Sequence, residues 1–174
     1  MAASSLEQAA HGSGPGKYLT FILGGGGYGI PILKVREIIR LLEITPIPRM
    51  PDYVRGIINL RGKIVPVIDL RLKFALPDIT TTNRTCIIVT YVMMGAVSKL
   101  MGVIVDALDE VDLIGADDIE PAPDFGTGTA TSYISSVARS KGRVKALLNI
   151  DAIVQDDRAI LPLPEMAAAE NPPR

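Results

Sequence analysis

Short apolar runs rich in Ile and Val alternate with Gly, Pro, Asn and Asp along most of the chain, a rhythm of strands and tight turns. The pattern predicts strands at Tyr18–Leu23, Tyr28–Leu33, Arg36–Leu42, Val54–Leu60, Lys63–Ile68, Arg84–Tyr91, Leu100–Ala107, Asp109–Ile114, Tyr133–Arg139 and Val144–Asn149. Apolar spacing loosens from two toward three and four at Leu70–Ala75 and Asp151–Asp156, which predicts short helical turns. Ten short strands exceed one small barrel and suit two five-stranded barrels, so the expected class is all-β. Residues 1–16 and the stretch from Pro162 to residue 174 are small, polar or Pro-rich, and read as flexible tails.

An internal repeat supports the division into two. "YGIPILKVREII" from Tyr28 is similar to "MGVIVDALDEV" from Met101, and "ITPIP" from Ile44 to "IEPAP" from Ile119. "YVRGIINLRGKIVPVID" from Tyr53 is similar to "YISSVARSKGRVKALLN" from Tyr133, with the same spacing from Tyr to Gly in both copies. The repeat predicts β-units over about 28–78 and 101–155, with the strands 17–23 and 84–91 completing or bridging them. In domain terms this is one unit over 17–161, with subdomains at about 28–78 and 82–161.

One segment stands out within the first unit. In "IINLRGKIVPVIDL", from Ile57 to Leu70, a cation beside a glycine interrupts two apolar runs. Gly62 allows a tight turn with positive φ, Asn59 can bond the turn backbone, and the turn would lift Arg61 clear of the sheet. Pro66 has no amide donor, so its position should face an edge or a bulge.

Composition narrows the chemistry. Hydrophobic residues make up 48% of the 174, enough for a sizeable core, and the net charge of −1 asks for neither a nucleic-acid backbone nor an anionic membrane. The charge is uneven: Gly29–Thr80 is predominantly basic, and Gly102–Asp124 contains acids and no base. Such polarity could orient a partner or a second copy, or simply reflect two solvated faces. No apolar run is long enough to span a membrane, no signal segment is visible, and a cytosolic protein is expected. His11 and Cys86 are the single residues of their types, and His11 lies in the N-terminal tail, which leaves no triad, Cys–His pair or zinc set. The acids between Asp106 and Glu120 lack the spacing of a calcium loop, although an acid pair for hydrolysis remains an alternative. "GGGGYG" at Gly24–Gly29 lacks the Lys-Ser/Thr of a phosphate loop and reads as a turn.

Taken in order, "YGIPILKVREII", "VRGIINLRGKIVPVIDLR", "GVIVDALDEV", "IEPAPDF" and "YISSVARSKGRVKALLNID" resemble the CheW-type chemotaxis coupling proteins over Tyr18–Asp156. The resemblance implies two SH3-like five-stranded barrels around a shared core, no enzymatic activity and no cofactor. It implies an adaptor that binds the regulatory domain of a CheA-type histidine kinase and the cytoplasmic hairpin tip of chemoreceptors, alongside paralogous barrels in rings, at membrane-associated arrays. An SH3-like module of another receptor–kinase system is the alternative. By motif, Arg61 and Gly62 match positions of receptor and kinase coupling, and Val35, Glu37 and Gly56 match positions whose alteration disrupts it. Val103 and Val105 match an apolar groove between barrels. The residues themselves leave other readings open: a solvated hairpin cation for Arg61, an exposed strand charge for Glu37, backbone geometry for Gly56, and core packing for Val35, Val103 and Val105. Gly24–Gly27 departs from the family's polar turn, which points to a looser hairpin, and "VMMGAVSKLMG" is more apolar than the family's usual connection.

Overall fold

The computed structural model describes residues 14–77, 79–123 and 133–155; His11 and most of the two predicted tails lie outside them. The strands are β1 (Gly16–Leu23), β2 (Gly26–Pro31), β3 (Val35–Arg40), β4 (Val54–Leu60), β5 (Lys63–Asp69), β6 (Cys86–Met94), β7 (Val97–Val105), β8 (Ala107–Ile114), β9 (Ile119–Pro121), β10 (Ile134–Ser140) and β11 (Arg143–Leu148). Two short helices follow β5 and β11: α1 (Leu70–Lys73) and α2 (Ile150–Gln155). All ten predicted strands are present. β9 was not predicted, because three residues carry no readable periodicity.

The strands form two sheets, ordered β3-β6-β7-β5-β4 and β8-β1-β2-β11-β10-β9. Their registers match pair for pair. Val67 of β5 lies opposite Gly102 of β7 in a parallel pairing, as Leu147 of β11 lies opposite Gly29 of β2. Ile38 faces Ile88 as Val111 faces Leu19, and the bulges between Val35 and Glu37 and between Val54 and Gly56 have counterparts between Leu19 and Phe21 and between Ile134 and Ser136. The isolated bridge from Thr45 to Ile57 stands where Glu120 of β9 meets Val137. The repeated unit therefore begins one strand earlier than its sequence signature, at β1 and β6.

The sheets also divide the chain differently from the predicted subdomains. The β1–β2 hairpin of the first half joins β8–β11, and the β6–β7 hairpin of the second half joins β3–β5. Tyr28–Leu33 thus leaves the first unit, and strands 84–91 and 100–107 leave the second. Each half donates its leading hairpin to the other's sheet, so neither sheet is complete without both halves.

Three apolar clusters follow from this layout. Ile58, Leu60, Val65, Val67, Ile87, Val89 and Ile104 fill the first barrel. A shared cluster containing Phe21, Ile30, Ile68, Ile88, Met101, Val103 and Leu148 joins the two sheets. The second barrel holds Tyr18, Ile114, Ala138 and Leu147. There, the positions equivalent to Val65, Val89 and Ile39 are Lys145, Thr20 and Asp112. These three satisfy one another: Lys145 Nζ lies 2.9 Å from Asp112 Oδ2 and 3.2 Å from Thr20 Oγ1, with Asp109 Oδ2 at 3.0 Å. Burial raises the Asp112 pKa, but hydrogen bonds from Lys145 and Ser140, with the charges of Lys145 and Lys141, together outweigh it and hold the carboxyl below its usual range. Burial likewise lowers the Lys145 pKa, and its bonds to Asp112 and Asp109 leave it above the usual value.

Two further bridges, one buried and one part-buried, tie the donated hairpins in place. Arg71 on α1 grips Asp69 through Nε and Nη2, both at 2.9 Å, and reaches Asp106 in the β7–β8 link at 3.2 Å. Asp106 also accepts the Gly24 amide from the β1–β2 turn at 2.7 Å. On α2 the arrangement recurs with polarity reversed: Asp151 binds Lys34 in the β2–β3 link at 2.9 Å and accepts the Met93 amide from the β6–β7 hairpin at 2.8 Å.

The polar trio in the second barrel should behave as a unit. Asp112→Ile alone removes the one fully buried partner of the Lys145 ammonium, leaving it the part-exposed Asp109 and Glu110, and is expected to cost about 2–4 kcal/mol, whereas Thr20→Val, Asp112→Ile and Lys145→Val together should be neutral or stabilising by about 1–4 kcal/mol, read by urea unfolding. A carboxyl with a lowered native pKa stabilises the fold above its unfolded-state value and loses that contribution as the pH falls through the native one. A lysine with a raised pKa contributes below its unfolded value and loses it as the pH climbs through the native one. The triple variant should therefore show a flatter stability profile than the parent below about pH 4, measured by urea midpoints across pH.

Candidate functional site

β4 and β5 pair up to Leu60 opposite Lys63, so Arg61 and Gly62 alone form the turn. Both have positive φ, 51° and 88°, as a type I′ turn requires. The Gly62 amide donates to Asn59 Oδ1 at 2.8 Å, which fixes the turn from within. Arg61 is thereby projected into solvent with 66% of its side chain exposed, and its guanidinium donates to the Glu37 carboxylate on β3. Arg36, beside Glu37, donates to the Tyr91 hydroxyl at 3.2 Å. Arg36, Glu37, Leu60, Arg61, Lys63 and Leu100 surround a cleft of about 210 Å³ at this end of the barrel. An exposed ion pair of this kind contributes little to stability, so Arg61 can exchange Glu37 for a carboxylate on another molecule at small cost.

The other predicted site residues separate into different roles. Val35, half-buried at the start of β3, packs against the shared core. Gly56 is buried with φ 137°, and a Cβ there would sit 1.9 Å from the Thr45 carbonyl oxygen. Its part is to let the Thr45–Pro46 segment lie against β4; it offers no surface. Val103 and Val105 are fully buried in the shared core, which replaces the expected groove lining with core packing. Their strand β7 is covered on both faces, so alternate positions are buried alike.

Pro66 sits on an interior strand, not an edge. Ile57, its partner on β4, spends its amide and carbonyl on Thr45, and pairing of β5 with β7 starts only at Val67. The missing amide thus falls where no ladder bond is required. The Gly24–Gly25 turn, expected to be loose, closes tightly with Leu23 opposite Gly26 and φ of 56° and 83°.

Five of the seven acids from Asp106 to Glu120 are held by cations, while Asp117 and Asp118 are exposed. Asp106 binds Arg71, Asp109 and Asp112 bind Lys145, Glu110 binds Lys141, and Glu120 binds Arg139. A general acid needs a raised pKa, and Asp112 is shifted the opposite way. Among the described residues no cluster of His, Cys, Asp or Glu could hold a metal ion, and no helix is long and apolar enough to cross a membrane.

Two sets of residues escaped the sequence reading. Asp69 and Arg71 were quoted within "VPVIDLR" without a role, although an arginine directly after an apolar strand signals a buried partner. Lys141 and Glu110 are the second barrel's counterparts of Arg61 and Glu37: Lys141 and Gly142 form the β10–β11 turn with φ of 53° and 77°, and Lys141 donates to Glu110. The matched Tyr-to-Gly spacing pointed to this pair.

Residues 17–158 match the family model described as the CheW-like domain. The chemotaxis protein CheW of Klebsiella aerogenes is 36% identical over 155 residues, covering 89% of this chain and 87% of that protein. CheW of Treponema pallidum is 33% identical over 132 residues, 76% of this chain and 78% of its own. Among solved structures, the scaffolding protein TtCheW from Thermoanaerobacter tengcongensis superposes with a TM-score of 0.73 at 33% identity, covering 81% of this chain and 93% of that one.

The two site glycines should respond differently to an added methyl. Gly56→Ala must displace the Thr45 backbone and is expected to cost about 2–4 kcal/mol. Gly62→Ala meets open space and should cost only the left-handed penalty of about 1–2 kcal/mol. Urea unfolding of the two variants checks the order.

Proposed function

The chain belongs to the CheW-like domain family, and we propose that it serves chemotaxis signalling as a non-catalytic adaptor joining chemoreceptors to a CheA-type histidine kinase. The observation that carries this reading is Arg61, held outward by a rigid two-residue turn and occupied only by an exposed ion pair to Glu37. The planar fork of an arginine suits bidentate contact with a partner's carboxylate. Arg61, Gly62 and Glu37 form the coupling surface itself. Val35 and Gly56 shape it from behind, through packing and through the Thr45–Pro46 contact.

A cleft between the two sheets, lined by Ile22, Leu76, Pro77 and Ala107 and not by Val103 or Val105, is a separate surface from the hairpin end, so one molecule can hold two partners at once. On this reading the regulatory domain of the kinase meets the barrel end, and the hairpin tip of a receptor enters the groove. Paralogous barrels would compete for the same end. The protein reaches membrane-associated arrays through the receptor. A family module serving a different receptor–kinase system is the second reading, favoured by the unusually apolar β6–β7 hairpin, "VMMGAV".

Arg61→Glu should leave the urea midpoint within about 0.5 kcal/mol of the parent while abolishing receptor control of CheA autophosphorylation in a reconstituted mixture. Full coupling by that variant would remove Arg61 from the contact. Retention of neither CheA nor receptor fragments in pull-downs with the parent protein would favour the second reading.

A further inference from the structure

Two adjoining clefts, of about 620 and 610 Å³, share Thr82, Asn83 and Arg84 as a common wall. The first lies between the sheets, with Ile22 of β1, Leu76 and Pro77 after α1, and Ala107 of β8 along its apolar side. The second runs along the outer strand β3, past Ile38 and Arg40.

Arg40 and Arg84 are exposed, and neither guanidinium has an ion-pair or hydrogen-bond partner among the described residues. Arg55, Arg61, Arg71 and Arg139 each hold a carboxylate. The one acid lining either cleft among the described residues is Asp106, already bound by Arg71 and the Gly24 amide. Arg84 thus stands uncompensated on the wall shared by both clefts, and Arg40 on the second, beside Ile38, Ile39 and Leu41.

Building on the adaptor reading, we infer that Arg40 and Arg84 determine which receptors the groove accepts, by selecting a segment whose apolar stripe is flanked by carboxylates. The apolar residues of the clefts supply contact area for any amphipathic segment. The guanidinium forks discriminate, because a facing carboxylate is drawn in and a facing lysine or arginine is repelled. The recess between two sheets suits a protruding segment; a flat lipid surface would touch only its rim.

The test uses the full chain and a soluble cytoplasmic fragment of a chemoreceptor, titrated at about 50 mM and about 300 mM salt. Arg40→Glu and Arg84→Glu should each weaken receptor binding roughly tenfold and reduce its salt dependence, with CheA binding and the urea midpoint unchanged. Arg40→Gln and Arg84→Gln should shift binding in the same direction by less. If the parent binds receptor and all four variants bind equally well, the inference falls and the adaptor reading stands. If the parent binds no receptor fragment, both fall. Arginine-dependent binding to phosphatidylserine vesicles, with receptor binding unaffected, would assign the two cations to lipid and overturn the inference.

Discussion

Two parallel contacts hold this molecule together, β5 against β7 and β2 against β11, each three residue pairs long. Each joins strands from opposite halves of the chain. Parallel neighbours cannot be closed by a hairpin and need a long connection; β5 reaches β7 through α1, a loop and β6, and β2 reaches β11 through everything from β3 to β10. Because each half donates its leading hairpin, the shared core between the sheets forms only when both exchanges are made. The barrel end carrying Arg61 and the cleft beside Arg84 are thus fixed relative to each other by the main chain.

The chain uses ion pairs in two ways, and burial decides which. Arg71 is 2% exposed and bound to an Asp69 that is fully buried, so removing either partner would strand a charge away from water. That bridge, and its counterpart from Lys34 to Asp151, locks the fold. Arg61 and Glu37 pair in solvent, where the contact is weak and replaceable. The same chemistry therefore serves as fastening inside and as a releasable contact outside.

Local features were legible in the sequence. Alternation located the ten longer strands, Gly62 and Asn59 revealed the turn, and the repeat revealed two related units. What escaped notice was non-local. No pattern within β1 or β6 tells which sheet takes it, since an exchanged hairpin has the same alternation as one kept at home. Val103 and Val105 were groove residues by resemblance alone, with core packing left open by the residues themselves; a strand covered on both faces puts them in the core. The matched spacing that aligned Tyr53 with Tyr133 also aligned Val65 with Lys145, but only the structure shows the ammonium buried and satisfied by Asp112 and Thr20.

The reciprocal hairpin exchange, with register and bulges kept in both halves, is the geometry of a swapped homodimer written into one polypeptide. Two identical subunits would be bound by symmetry to make both helix bridges alike. A fused chain is released from that obligation. One helix now carries the cation and the other the anion, and one barrel interior is apolar while the other is wired with charge. Covalent linkage frees two copies of a single architecture to be chemically unlike.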